Sequence, residues 1–243
     1  DGDGTYETIQ TLPRFDDASE DTSMADGATV VLGDETLEVD LNAEEIQPYY
    51  ISDGDGHLYI YLVTGGLATE PVIAVCESNG KSLHYVDTFP GTLAEVQVTA
   101  MPSQFSKIPE DVGITTRQWY AFSNPQSFYL EQVINPLSTA EGRMEYEIGF
   151  GGMPKAVSEA YEIVSPFALT TMVELEAENA EDGSAVMLPA GSEITILASD
   201  AATYVEGVTE DGTRVRIACD LSWPQTVAEQ KAEDVFEGIY YDE

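Results

Sequence analysis

Apolar residues fall in short runs along this chain, and two runs are apolar throughout. Residues 58–63 and 71–76 consist of β-branched, aliphatic and aromatic side chains with Gly65-Gly66 in the segment between them. Two such runs joined by a glycine-bearing loop predict a β-hairpin. Elsewhere the pattern alternates. Glu95-Val96-Gln97-Val98-Thr99 places apolar side chains at every second position, which predicts a strand with one buried and one wet face. Strands are predicted at 29–32, 36–39, 82–87, 94–99, 115–122, 127–134, 144–150 and 160–164. After Pro166 they continue at 169–177, 193–197, 203–207 and 214–218. Glu210-Asp211-Gly212 supplies a tight turn between the last pair, because Asp and Gly tolerate positive φ.

Helical signals are local. Asn42 followed by Glu45 reads as a capping box that starts a helical turn at 41–45, limited by Pro48. Thr226 followed by Glu229, with Gly238 at the far end, predicts a C-terminal helix whose Val227, Val235 and Phe236 cover the sheet and which Trp223 anchors. Pro166 marks a domain boundary, since a proline within a central strand removes a ladder hydrogen bond. The expected fold is mainly β: an N-terminal β-rich, sandwich-like domain over 1–165, then a small β domain over 166–243 with the C-terminal helix.

Charge narrows the classes of partner. The 243 residues carry 45 Asp plus Glu against 9 Lys plus Arg, a formal net charge of -36. A nucleic-acid surface needs clustered cations, and an anionic membrane surface attracts Lys and Arg and repels carboxylates, so both are disfavoured. Hydrophobic residues make up 43% of the chain, enough for a core and against global disorder. The first fifty residues hold 14 of the acidic side chains and a single Arg, which predicts turns and exposed strand faces there. No apolar stretch approaches the length of a bilayer span, so no transmembrane segment is expected. Cys76 and Cys219 allow one disulfide, and two buried thiols are the simpler reading.

One stretch carries a resemblance. Leu188-Pro189-Ala190-Gly191 precedes Ile194-Thr195-Ile196-Leu197, and Thr203-Tyr204-Val205-Glu206 precedes Asp211-Gly212-Thr213-Arg214-Val215-Arg216-Ile217. This run resembles bacterial SH3-like modules of secreted or lipoprotein-type Gram-positive proteins. The resemblance implies successive strands of a small barrel, and a location outside the cell or on its surface, with a lipid anchor lying upstream.

Candidate chemistry is sparse. Trp119, Tyr120, Phe122, Asn124 and Tyr129 combine flat rings with an amide, a set that stacks sugars or holds an extended peptide. Alternation separates Trp119 from Tyr120 and Phe122, and core packing is the competing reading. Asp1, Asp3 and Glu7 space carboxylates along an Asp-Gly turn, as calcium ligands are spaced, and Asp53-Gly54-Asp55-Gly56 repeats the spacing. Neither completes an EF-hand loop. Calcium is therefore the one cofactor considered. His57 and His84 are the only histidines, and Ser82 and Asp87 near His84 do not by themselves make a triad. Same-face acids, Glu145 with Glu147 and Glu174 with Glu176 and Glu178, leave open an acid-pair glycan hydrolase. The favoured expectation is a non-enzymatic binding or accessory module that recognises a carbohydrate, peptide or surface protein. A purely structural spacer is the remaining alternative.

Overall fold

A computed structural model describes residues 9–15, 24–52, 57–66, 70–79, 82–94, 99–100, 120–123 and 127–241. The chain is mainly β, as its pattern predicts. It divides into two compact units, Asp1–Leu130 with Glu145–Ala156, and Glu131–Met144 with Val157–Glu243.

The first unit opens with β1 (Ile9–Arg14), β2 (Ala25–Leu32) and β3 (Glu35–Ala43), an antiparallel sheet in the order β1-β2-β3. Gly33 and Asp34 turn β2 into β3, with Gly33 at φ +58, the left-handed geometry a two-residue hairpin needs. A second sheet contains β4 (Glu45–Ser52), β5 (Leu58–Gly65), β6 (Val72–Ser78) and β7 (Leu83–Pro90) as an antiparallel meander. After β8 (Thr92–Ala94), it is extended by β9 (Thr99–Ala100) and by β10 (Tyr120–Ser123), which runs parallel to β4. Next come β11 (Phe128–Ile134), β12 (Ala140–Ile148), a 3-10 turn at Phe150–Gly152 and β13 (Pro154–Ala156), which pairs with β12. The chain passes between the units three times, within β11, within β12 and after β13.

The expected helical turn at 41–45 is not formed. Val39, Leu41 and Ala43 are buried while Asp40 and Asn42 are exposed, so a period of two runs through the capping-box residues and β3 continues to Ala43. In β5 the period disappears, because every residue from Tyr59 to Thr64 is buried. Both faces of this strand are covered. Ile60 and Leu62 join Ala74, Cys76 and Tyr50 against Ala28, Val30, Val39 and Leu41 of the first sheet. On the opposite face Tyr61 meets Phe128 edge-on with ring centroids 6.1 Å apart, and Tyr146 stacks on Phe128 and meets Phe89. The Tyr61 hydroxyl donates to the carbonyl of Gly152, and burial pushes its pKa up.

The second unit continues with β14 (Tyr161–Thr171), β15 (Leu175–Asn179), β16 (Ala185–Leu188), β17 (Glu193–Ser199), β18 (Tyr204–Thr209) and β19 (Arg214–Asp220). The three strands β17-β18-β19 form an antiparallel meander. Its two edges are taken by β14 and β15, consecutive strands separated by residues 172–174, so one bent run of chain borders the meander on both sides. Inside lie Ile163, Leu169, Leu175, Ile194, Ile196, Val205, Val215 and Ile217, all at alternate positions of their strands. Pro166, expected at a boundary, sits within β14. It falls in the register shift between Glu162 and Phe167, where β14 makes no ladder pair that would need its missing N–H.

The C-terminal helix is also corrected. Thr226 and Glu229 belong to a hairpin of β20 (Thr226–Val227) and β21 (Gln230–Lys231), with Ala228 at φ +49 and Glu229 at φ +64 in its turn. Only the single turn α1 (Ala232–Val235) is helical, before β22 (Phe236–Glu237) pairs with β14. Val227, Ala232, Val235 and Phe236 are the buried positions, shared among the hairpin, the helical turn and β22. Gly238, at φ +99, does stand just past this segment.

Candidate functional site

The second unit exposes an aromatic platform near the end of the chain. After β19, the Asp220 carboxylate accepts a hydrogen bond from the Ser222 N–H at 2.9 Å, which turns the chain and presents Trp223 with 77% of its surface in water. Tyr241 meets Trp223 edge-on, centroids 5.3 Å apart at 86°. Its hydroxyl bonds to Gln225 Oε1 at 2.9 Å, and Gln225, only 5% exposed, donates through Nε2 to the carbonyl of Asn135 at 2.6 Å. Desolvation, helped by the nearby Glu233, pushes the Tyr241 hydroxyl above its usual pKa. Tyr240 alongside is 66% exposed, and its backbone N–H donates to Ser138 Oγ at 2.8 Å. The sequence reading made Trp223 an anchor under a helix; with the helix replaced by a hairpin, its ring faces solvent. The hydrogen bonds of Gln225 hold Tyr241 in place, and the exposed surface of the indole is open to stack on a ligand.

The first unit brings both histidines onto one carboxylate. Glu77 of β6 pairs in register with His84 of β7 and with Tyr59 of β5, and His57 lies two residues before Tyr59, on the same face. His57 Nδ1 is 3.1 Å from Glu77 Oε1, and His84 Nε2 is 3.1 Å from Glu77 Oε2. The imidazoles are about half exposed, whereas the Glu77 side chain is 17% exposed. Neither the convergence of the two histidines nor the part of Glu77 follows from the candidates named above. The pairing of 71–76 with 82–87 around the Asn79–Ser82 turn contained the signal, since counting outward from that turn sets Glu77 opposite His84.

Other sequence candidates scatter. Trp119 and Asn124 lie outside the described residues, as do Asp1, Asp3 and Glu7 and the Asp53–Gly56 repeat. Tyr120 and Phe122 belong to β10 at alternate positions. Tyr129 is partly exposed on β11 between buried Phe128 and Leu130. Glu176 and Glu178 alternate with buried Leu175 and Ala177 on the wet face of β15, and Glu147 binds the Lys155 ammonium at 2.7 Å. Cys76 and Cys219 are free thiols, and burial pushes each up to about 12.

Among the described residues, no group of three or more His, Cys, Asp or Glu side chains is arranged to hold a metal ion, and no helix is long and apolar enough to cross a membrane. No known protein family, curated protein or solved structure matches the chain.

Proposed function

We propose that the protein is a non-enzymatic binding module, working outside the cell or on its surface, that recognises a carbohydrate through the Trp223 platform. The first unit is read as a β-sandwich and the second as an SH3-like small barrel. The bent β14–β15 run along both edges of the β17-β18-β19 meander supports the second assignment, and the two sheets that share the core of Ala28, Val30, Ile60 and Leu62 support the first.

The observation that carries the functional reading is a large ring set against Tyr241 yet left in water. Trp223 is 77% exposed beside Tyr240, itself 66% exposed, and the Tyr241–Gln225–Asn135 hydrogen bonds fix the Tyr241 ring that the indole meets edge-on. Apolar sugar faces stack on such rings, and neighbouring hydroxyls and amides orient them. Titration with soluble cell-wall glycan fragments, read by Trp223 fluorescence in a Trp119→Phe background, is expected to saturate. Trp223→Ala is expected to abolish binding and leave the unfolding midpoint nearly unchanged. Binding that survives Trp223→Ala but is lost with Trp119→Ala moves the site to the 119–129 segment and rejects the platform. Absence of binding to any fragment rejects the carbohydrate reading.

A further inference from the structure

In the second unit, the outermost strand is chemically unusual for an edge. Among the described residues β16 pairs only with β15, so its other side offers backbone N–H and C=O groups without a strand partner. Sheet edges are commonly blunted by charges, prolines or bulges. At four residues β16 is a short edge, but its sequence, Ala-Val-Met-Leu, carries neither charge nor proline, although the chain around it is dense in carboxylates. Met187 is 55% exposed.

A groove of about 300 Å³ borders this strand, lined by Val186, Met187 and Pro189 together with Glu193 and the Glu210–Asp211 turn. Its lining thus joins the apolar side chains of β16 to three carboxylates, with no cation. The turn is held firmly: Asp211 accepts from Thr209 Oγ1 at 2.6 Å and from the Thr213 N–H at 3.1 Å. Those bonds keep its carboxyl below the usual range, so the negative charge persists at neutral pH. Thr171 Oγ1, which donates to the carbonyl of Pro189 at 2.7 Å, secures the end of β16.

We propose that this groove takes an extended segment of a basic partner protein, which adds to the free edge of β16 as a further strand. Main-chain hydrogen bonds to Ala185–Leu188 supply the register, as in other strand-addition complexes. Lys or Arg side chains at alternate positions face Glu193, Glu210 and Asp211, and the intervening apolar side chains, on the other face of the added strand, cover Met187. A four-residue edge spans about 13 Å at the rise of a β-strand, which fits a partner segment of about four or five residues. Charge decides the occupant. A second copy of this chain, at -36, would be repelled, as would a nucleic acid or an anionic lipid surface. The groove uses different residues from the Trp223 platform, so the two readings fail independently.

The probe is a blocked Lys-Val-Lys-Val-Lys peptide added to the isotope-labelled full chain. Two companions are used: the same peptide N-methylated on alternate amides in both phases, and its Glu-for-Lys counterpart. The expected result is amide shifts concentrated at 185–193 and 209–213. Affinity should fall by about tenfold or more on N-methylation, for the Glu193→Lys, Glu210→Lys double variant, and for the Glu peptide. Both substituted positions are exposed, and an unchanged circular dichroism spectrum confirms that the variant is folded. Equal binding of the N-methylated peptide overturns the proposal, because charge alone then accounts for it. Shifts spread over the surface, or no shifts at millimolar peptide, overturn it as well.

Discussion

The two units solve the same problem, a β core inside a carboxylate coat, in opposite ways. In the first, β5 is buried on both faces, and its aromatic face is closed by Phe128, Tyr146 and the Gly152 carbonyl. In the second, β19 keeps strict alternation, with Val215 and Ile217 inside and Arg214, Arg216 and Ala218 outside. Double coverage leaves little of a strand to offer a ligand. Single coverage leaves faces, edges and turns in water, and the second unit is where the exposed Trp223 and the uncharged edge of β16 occur.

The sharpest way to break this contrast is to make one substitution in both units. Gly152 stands at φ +78, and a Cβ there would come within 2.3 Å of the Tyr59 ring; Gly212 stands at φ +87 with nothing within 4 Å. Backbone strain is common to both, but steric conflict belongs only to the first. Gly152→Ala is expected to destabilise by about 3 kcal/mol or more, combining left-handed strain with overpacking. Gly212→Ala should cost about 1–2 kcal/mol from strain alone. Chemical denaturation followed by far-ultraviolet circular dichroism checks both, and equal losses would contradict the tight closure over Tyr59.

A scan of consecutive residues sharpens the point. Ile60→Ala, Tyr61→Ala and Leu62→Ala should each cost about 2–5 kcal/mol, because successive side chains enter different cores. Along β19 the same scan should oscillate. Val215→Ala and Ile217→Ala remain costly, whereas Arg216→Ala is expected to lose about 1 kcal/mol or less. Arg216 stands 4.4 Å over the Tyr204 ring and binds Glu206 at 2.6 Å, but on the wet face, where water and salt weaken both contacts. Matching profiles in the two strands would remove the distinction.

The same difference decided what was legible beforehand. Apolar runs at 58–63 and 71–76 announce β5 and β6, and the Asp211-Gly212 turn announces the β18–β19 hairpin, because local composition and turn chemistry agree with the tertiary environment. The capping-box patterns at Asn42 and Thr226 mislead, because four residues of local preference are outweighed by the burial of Leu41 and Ala43 in one case and of Val227 and Phe236 in the other. Pro166 misleads since a bulge can absorb the lost N–H. The platform was not readable, for sequence gives the presence of Trp223 but not its exposure. The His57–Glu77–His84 cluster was readable in part: counting from the turn sets Glu77 opposite His84, but bringing His57 to the same carboxylate also needs the register of β5.

The smallest expected effect concerns acid. In the second unit, carboxylates organise the turns: Asp182 binds Ser184, Asp211 binds Thr209 and Thr213, and Asp220 binds Ser222, all lowering the carboxyl pKa. At Asp200 desolvation opposes ionisation, but bonds from Thr203 Oγ1 and from the amides of residues 202, 203 and 204 outweigh it. The unfolded carboxyl titrates near 3.9. Because the folded values lie lower, the unfolded chain binds protons first, so the stabilisation is complete above about pH 4 and declines as pH falls through the folded pKa values. Replacing all four with Asn retains an acceptor oxygen at each turn and removes the proton linkage. Hydrogen exchange read residue by residue should then show a shallower acid loss of protection in β17-β18-β19 of the variant than of the parent. Exchange in β4-β5-β6 should be the same in both proteins. A change of equal size in both sets of strands would mean that the turns of the second unit are not the acid-sensitive element, and that relief of general charge repulsion governs both units alike.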